Sequence, residues 1–229
     1  MSSQYTLYEI NKISQVFAPE ADVPKGVKPH YNITPTQLSP VITFKDGARA
    51  IEKMKWGFIP VGAKDTNSVF RYKTYNARAE MVFSKPTWSK VIRSQRCLVP
   101  ANGFYEYKNS ETGKHPYYIQ LSDQSIFAFA GVYSSWIDAS GMKYGMFSII
   151  TIDSDTDNDA IPSRLPVIVK PEDYDTWLNP EITDAAKIYN VMKPYDVSKL
   201  KFGRVSDDVK LAKNDKQYLI EYLKPESKK

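Results

Sequence analysis

Four short segments of this 229-residue chain set polar side chains inside strand-like sequence. In YNARAE, Tyr75 to Glu80, the residues Asn76, Arg78 and Glu80 alternate, so an extended backbone turns all three to one face. In RCLVPANGFYEY, Arg96 to Tyr107, an apolar run breaks at Pro100 to Gly103 and resumes with Glu106 between two tyrosines. IPSRLPVIV, Ile161 to Val169, places Arg164 just ahead of an apolar strand, and WGFIP, Trp56 to Pro60, is the fourth segment. Amides, guanidinium groups and carboxylates are the types that hydrogen-bond a substrate, meet an anion and carry a proton. Taken singly, each has an ordinary structural explanation. Asn76 suits a turn, Arg78 a charged surface, and Glu106 the solvent face of an edge strand.

Other chemistries find less support. The one cysteine, Cys97, lies in an apolar run and reads as a small core residue rather than a nucleophile. A single cysteine leaves no internal disulfide framework and fits a reducing compartment, so a cytoplasmic protein, or a nuclear one in a eukaryote, is expected. His30 and His115 are the only histidines, far apart and without a cysteine partner at ligand spacing, so no metal and no cofactor is expected. No Gly-rich strand-to-helix turn suggests a nucleotide fold. No apolar run approaches the ~20 residues that span a bilayer, and the opening MSSQYTLYEI lacks a signal-peptide profile. The net charge of +5 permits nucleic-acid binding without requiring it.

The elements that must position these groups are mostly strands. Ser39–Phe44, Arg96–Val99, Gly103–Lys108, Tyr117–Leu121, Ile126–Tyr133 and Met146–Ile152 are rich in β-branched or aromatic residues and bounded by turn formers. Asn109 to His115 reads as a hairpin connection. A short helix is expected within Tyr5 to Phe17, followed by a Pro-rich, charged loop over residues 18–30. Further helices are expected at Pro86 to Arg93 with Ser84 as cap, and at Pro171 to Leu178, Ile182 to Met192 and Asp215 to Leu223. The class is therefore α+β, a curved, barrel-like mixed or antiparallel sheet with peripheral helices. A single domain over residues 1–224 with a short basic tail at 225–229 is expected, as is a monomer.

Together and in this order, the motifs resemble those of the SRAP family, the SOS-response-associated peptidase or abasic-site processing proteins. NAR-x-E is followed by C-x-x-P-x-x-G-F-Y-E and by R-x-P before an apolar strand. YNITPTQLSPVI, Tyr31 to Ile42, is similar to the family's Y-N-x-x-P stretch, and Val205, Ser206 and Val209 to its V-S-x-x-V. The resemblance covers nearly the whole chain. It implies binding of single-stranded DNA and capture of abasic sites in the DNA damage response. Family members start Met-Cys-Gly-Arg; removal of Met exposes a cysteine whose amine and thiol close on the sugar aldehyde as a thiazolidine. By the same resemblance, Asn76 orients the substrate, Arg78 and Arg164 contact DNA, Glu106 moves protons near the amine, and Tyr107 replaces a tryptophan as a stacking surface.

Two positions depart from that pattern. Ser2 stands at the cysteine position, with Ser3 and Gln4 at those of the glycine and arginine, and Pro162 stands at the position of a histidine that assists proton transfer. A hydroxyl is a weak nucleophile at neutral pH, proline has no side-chain proton, and Gln4 removes one phosphate contact. The expectation is a divergent member that keeps non-covalent DNA binding. Two alternatives stand beside it: a weak Schiff-base lyase using the Ser2 α-amine and Glu106, and a scaffold reused for protein interaction.

Overall fold

The computed structural model describes residues 3–59, 67–138, 140–154 and 162–224. The strands are β1 (Tyr5–Leu7), β2 (His30–Ile33), β3 (Leu38–Lys45), β4 (Ala48–Trp56), β5 (Asn76–Arg78), β6 (Arg96–Ala101), β7 (Gly103–Ser110), β8 (Gly113–Leu121), β9 (Phe127–Ile137), β10 (Lys143–Asp153), β11 (Arg164–Pro166), β12 (Ile168–Val169) and β13 (Leu200–Arg204). The helices are α1 (Ile10–Phe17), α2 (Ser68–Tyr72), α3 (Val91–Ser94), α4 (Tyr174–Leu178) and α5 (Ala185–Val191). All six strands read from the sequence are present, most of them longer than expected. The α+β class with a barrel-like sheet holds.

Within the larger sheet, β10, β4, β3, β6 and β9 form a ring, because β9 also pairs with β10 and so closes the path. Closure removes the free edges that an open sheet of this size would expose. The ring is antiparallel except where β10 runs parallel to β4, and β10 extends past β4 to pair in parallel with β5. That pairing sets Asn76 opposite Ile149 and Arg78 opposite Thr151. Cys97 faces Gly131 across β6 and β9, where a Cβ on Gly131 would come within 2.8 Å of its sulfur. The thiol is fully buried, and burial pushes its pKa far up, as suits a core residue.

The second sheet runs β13, β8, β7, β1, β2. Its inner face meets the ring through aromatics. Tyr5 sits edge-on to Trp56 at 5.0 Å between centroids, and Phe104 lies 5.7 Å from Phe129. Each such buried ring contributes roughly 1.5–3 kcal/mol. Val205, Val209 and Leu219 form a smaller cluster with Tyr105 and Tyr118, and Ser206 caps the short 3-10 turn Asp207–Lys210. The V-S-x-x-V motif is thus two core anchors and the cap between them.

Several local expectations are corrected. The short helix expected within Tyr5 to Phe17 is present as Ile10–Phe17, but the stretch ahead of it is not loop: Tyr5–Leu7 is a strand held between β2 and β7. At Pro86 to Arg93 only Val91–Ser94 is helical, and Ser84 donates back to the Met81 carbonyl rather than capping it. Within Asp215 to Leu223 there is one 3-10 turn, Gln217–Ile220. The hairpin connection shrinks to Glu111 and Thr112, since the paired strands run on to Ser110 and Gly113.

Candidate functional site

Glu106 lies near the middle of β7, where the edge facing β1 opens as that strand ends. The backbone N–H of Tyr105 donates to the carbonyl of Gln4 at 3.0 Å, so the start of the described chain runs alongside Glu106. A cleft of about 720 Å³ opens here, lined by Ser3 and Gln4, Thr34 and Pro35, Phe70 and Tyr75, Glu106 and Tyr107, and Lys114, Lys210 and Ala212. Glu106 is only 3% exposed. Burial raises its pKa above the usual carboxylate value, against the pull of Lys114. A carboxyl so placed exchanges protons closer to neutrality than an ordinary glutamate.

Gln4 fixes the cleft floor. Its side-chain nitrogen donates to Asn32 Oδ1 at 2.7 Å and to the Val209 carbonyl at 2.6 Å, while its oxygen accepts from the Tyr107 hydroxyl. Asn32 in turn donates to the carbonyls of Val209, Leu211 and Asn214. Asp215 accepts from the backbone N–H groups of Tyr31 and Asn32 and bonds His30 at 2.6 Å. The C-terminal segment is thereby strapped to β2, and it delivers Lys210 and Ala212 to the cleft. Position 4 points inward, so the phosphate contact expected of an arginine there gives way to an internal strut.

Tyr107 joins Glu106 in the cleft. Burial pushes its phenol up to about 12, and its ring is covered by Lys114 Nζ, 5.7 Å from the centroid. Asn76 is 6% exposed and directly follows the lining residue Tyr75, whose carbonyl accepts from Trp56 Nε1 at 2.8 Å. Arg78 ends β5 with its side chain exposed. Trp56 and Gly57, the W-G pair, act as scaffold: the indole stacks on Phe147, and Gly57 has φ of +119° with its N–H on the Phe147 carbonyl.

Arg164, expected at the DNA, is engaged within the protein. Its guanidinium bonds Glu80 at 2.9 Å, Asp153, and the Thr151 carbonyl at 2.9 Å, and it does not line the Glu106 cleft. Its position is that of a brace between β11, β10 and the turn after β5. The same contact holds the Glu80 carboxyl below its usual range despite partial burial.

Pro162 lies in a small apolar niche with Ile119, Leu165, Val197, Leu200 and Phe202. In the sheet register Glu106 faces Tyr117, and the neighbouring row on the same face is Phe104, Ile119 and Phe202. Pro162 therefore covers the row beside Glu106, on the same side of the sheet. Ser2 lies outside the described residues, as does the tail at 225–229. Among the described residues no cluster of three or more His, Cys, Asp or Glu could hold a metal, and no helix is long and apolar enough to cross a membrane.

The model of the SOS response associated peptidase family matches residues 1–212. The chain belongs to the SRAP family. Among its SRAP relatives is the Abasic site processing protein YoqW of Bacillus subtilis (strain 168), 35% identical over 224 residues that cover 96% of this chain and 99% of that one. The Abasic site processing protein HMCES of Gallus gallus is 26% identical, covering 82% and 64% respectively. An X-ray structure of a protein from Bacteroides thetaiotaomicron superposes with a TM-score of 0.82 at 28% identity, covering 96% of this chain and 99% of that one.

The sequence motifs point to Glu106, Tyr107 and Asn76 but not to Asn32, Lys114 or Lys210. Asn32 sits inside the Y-N-x-x-P stretch, so the motif carries a signal whose meaning becomes visible only with its partners. The two lysines carry none.

Proposed function

We propose that this SRAP protein binds single-stranded DNA at abasic sites and has lost the durable covalent trap. The observation that carries the reading is that the buried Glu106, its pKa raised by that burial, shares a cleft with Ser3, one residue from Ser2 in sequence. In this reading Asn76 orients the sugar, Arg78 contacts the strand, and Glu106 handles protons at the chain start. A thiol at position 2 would close an imine to a stable thiazolidine. The hydroxyl of Ser2 yields at most an oxazolidine, which hydrolyses readily, and Pro162 provides no imidazole beside Glu106.

The test mixes protein with single-stranded DNA carrying one abasic site and resolves the mixture on a denaturing gel. The native chain is expected to leave no stable adduct, while Ser2→Cys and Ser2→Cys/Pro162→His form one. A stable adduct with the native chain would overturn the loss of the trap. A chain that neither binds nor, as Ser2→Cys, reacts would overturn the DNA reading.

The elevated pKa of Glu106 favours a second, weaker activity. The α-amine exposed by removal of Met1 condenses with the C1′ aldehyde, releasing water. The Glu106 carboxylate then takes the C2′ proton and the C3′–O bond breaks, expelling the phosphate. Borohydride should reduce that imine to a trapped species. Trapping that survives blocking of the terminal amine would rule out this route.

A further inference from the structure

Two ammonium groups line the cleft, one from β8 and one from the C-terminal segment. Lys114 comes from β8 and rests over the Tyr107 ring, whose hydroxyl is tied to Gln4. Lys210 ends the 3-10 turn Asp207–Lys210, whose base is locked by the buried Val205 and Val209 and by the Asn32 strap. Asp207 accepts from Lys210 at 3.0 Å and also approaches His115 Nδ1 at 3.4 Å, which draws it toward the strand that carries Lys114. The buried carboxyl of Glu106 lines the same cleft.

We propose that Lys114 and Lys210 are a phosphate-recognising pair of this cleft, holding the nucleic-acid backbone beside the sugar presented to Glu106. This rests on the DNA reading above and assigns its electrostatic contacts. Of the three positions that the motif pattern assigns to DNA contact, Arg78 is exposed, Gln4 faces inward, and the Arg164 guanidinium is engaged by two carboxylates. Lys114 and Lys210 are both exposed, so their ammonium groups reach solvent and an incoming strand. The Asp207 partner of Lys210 is half-exposed, and such a surface pair is worth little against a phosphate. One bond to Asp207 leaves the ammonium two further donors. Because burial favours the protonated, neutral form of Glu106, the carboxyl repels an approaching phosphate less than an ordinary glutamate would.

The experiment is binding of a labelled single-stranded oligonucleotide by fluorescence anisotropy across a salt series. For single strands, log affinity against log salt steepens by ~0.7 per neutralised phosphate. Lys114→Gln/Lys210→Gln should therefore flatten the slope by roughly 1.4. Lys114→Arg/Lys210→Arg should keep it, and Lys90→Gln/Lys187→Gln, two exposed lysines that do not line the cleft, should leave it unchanged. Circular dichroism shows that each variant is folded. A native chain with a salt slope that the Gln pair does not alter would overturn this assignment and leave DNA binding standing. A native chain without salt-dependent binding would overturn the DNA reading itself, and the assignment with it.

Discussion

Gln4 and Asn32 meet side chain to side chain in the interior, with Gln4 Nε2 donating to Asn32 Oδ1 at 2.7 Å. Both amides also donate to the Val209 carbonyl, Gln4 at 2.6 Å and Asn32 at 3.0 Å. One carbonyl of the C-terminal segment is thus the common acceptor of the chain start and of β2. The start of the chain is positioned by residues some two hundred positions away.

Truncating Asn32 tests that joint. Asn32→Ala removes the donor to three carbonyls and the acceptor for Gln4, in a place only 1% exposed. Buried polar groups deprived of partners cost ~1–3 kcal/mol each, partly recovered by relaxation, so a loss of about 3 kcal/mol is expected. Urea unfolding should show a clear fall in midpoint. A change below about 1 kcal/mol would mean that the strap does not depend on this amide.

Arg96 makes a comparable joint between the helices and the ring. The side chain is 1% exposed and donates to the carbonyls of Ile92, Arg93, Trp177 and Asn179 at 2.5–2.9 Å. Burial lowers its pKa to about 10, which still leaves it charged at neutral pH. Arg96→Met should cost about 3–5 kcal/mol by stranding those carbonyls, and Arg96→Lys less, since it keeps the charge but not the fork. Equal stability of the Met variant in denaturant melts would contradict the role.

What the sequence disclosed follows from which forces are local. The central strands alternate or run apolar over five or more residues, so their period is legible without knowledge of their partners. β1 and β5 are three residues each and exist only because Ile33, Phe104 and Ile149 lie beside them. No local pattern announces them. The expected helix at Asp215 to Leu223 fails for a related reason: the Asp215 carboxylate is engaged by Tyr31, Asn32 and His30, and of the short turn only Leu219 is fully buried. Glu106 was legible because its motif is contiguous. Asn32, Lys114 and Lys210 acquire meaning only where three distant segments meet, and Arg164 looks like a ligand-binding arginine until Glu80 and Asp153 are seen around it.

Gly57 joins the scaffold to the cleft. At φ of +119° a side chain is strained, and a Cβ would stand 2.2 Å from Val69 Cγ1 on α2. The next residue of α2, Phe70, lines the cleft. Gly57→Ala should therefore cost about 3 kcal/mol and displace α2. The check pairs denaturant unfolding with the fluorescence of a Phe70→Trp reporter. A stable variant with an unmoved reporter would show that α2 does not depend on this approach.

Glu106 sets the pH dependence of the fold. Burial holds its folded pKa above the ordinary value of 4.5, so the folded protein keeps a proton that the unfolded chain has released. The contribution to stability is fully present below that ordinary value and is lost as pH rises through the folded pKa. Glu106→Gln has no proton to lose at this position. Its melting temperature relative to the native chain should therefore rise as pH climbs above the ordinary value of 4.5 and level off once the native carboxyl has ionised. Parallel profiles for the two proteins would show that the carboxyl ionises as freely as in the unfolded chain. The same variant removes the base from the proposed elimination. A chain made more stable at neutral pH and less able to cleave an abasic strand would show both effects arising from one buried carboxyl.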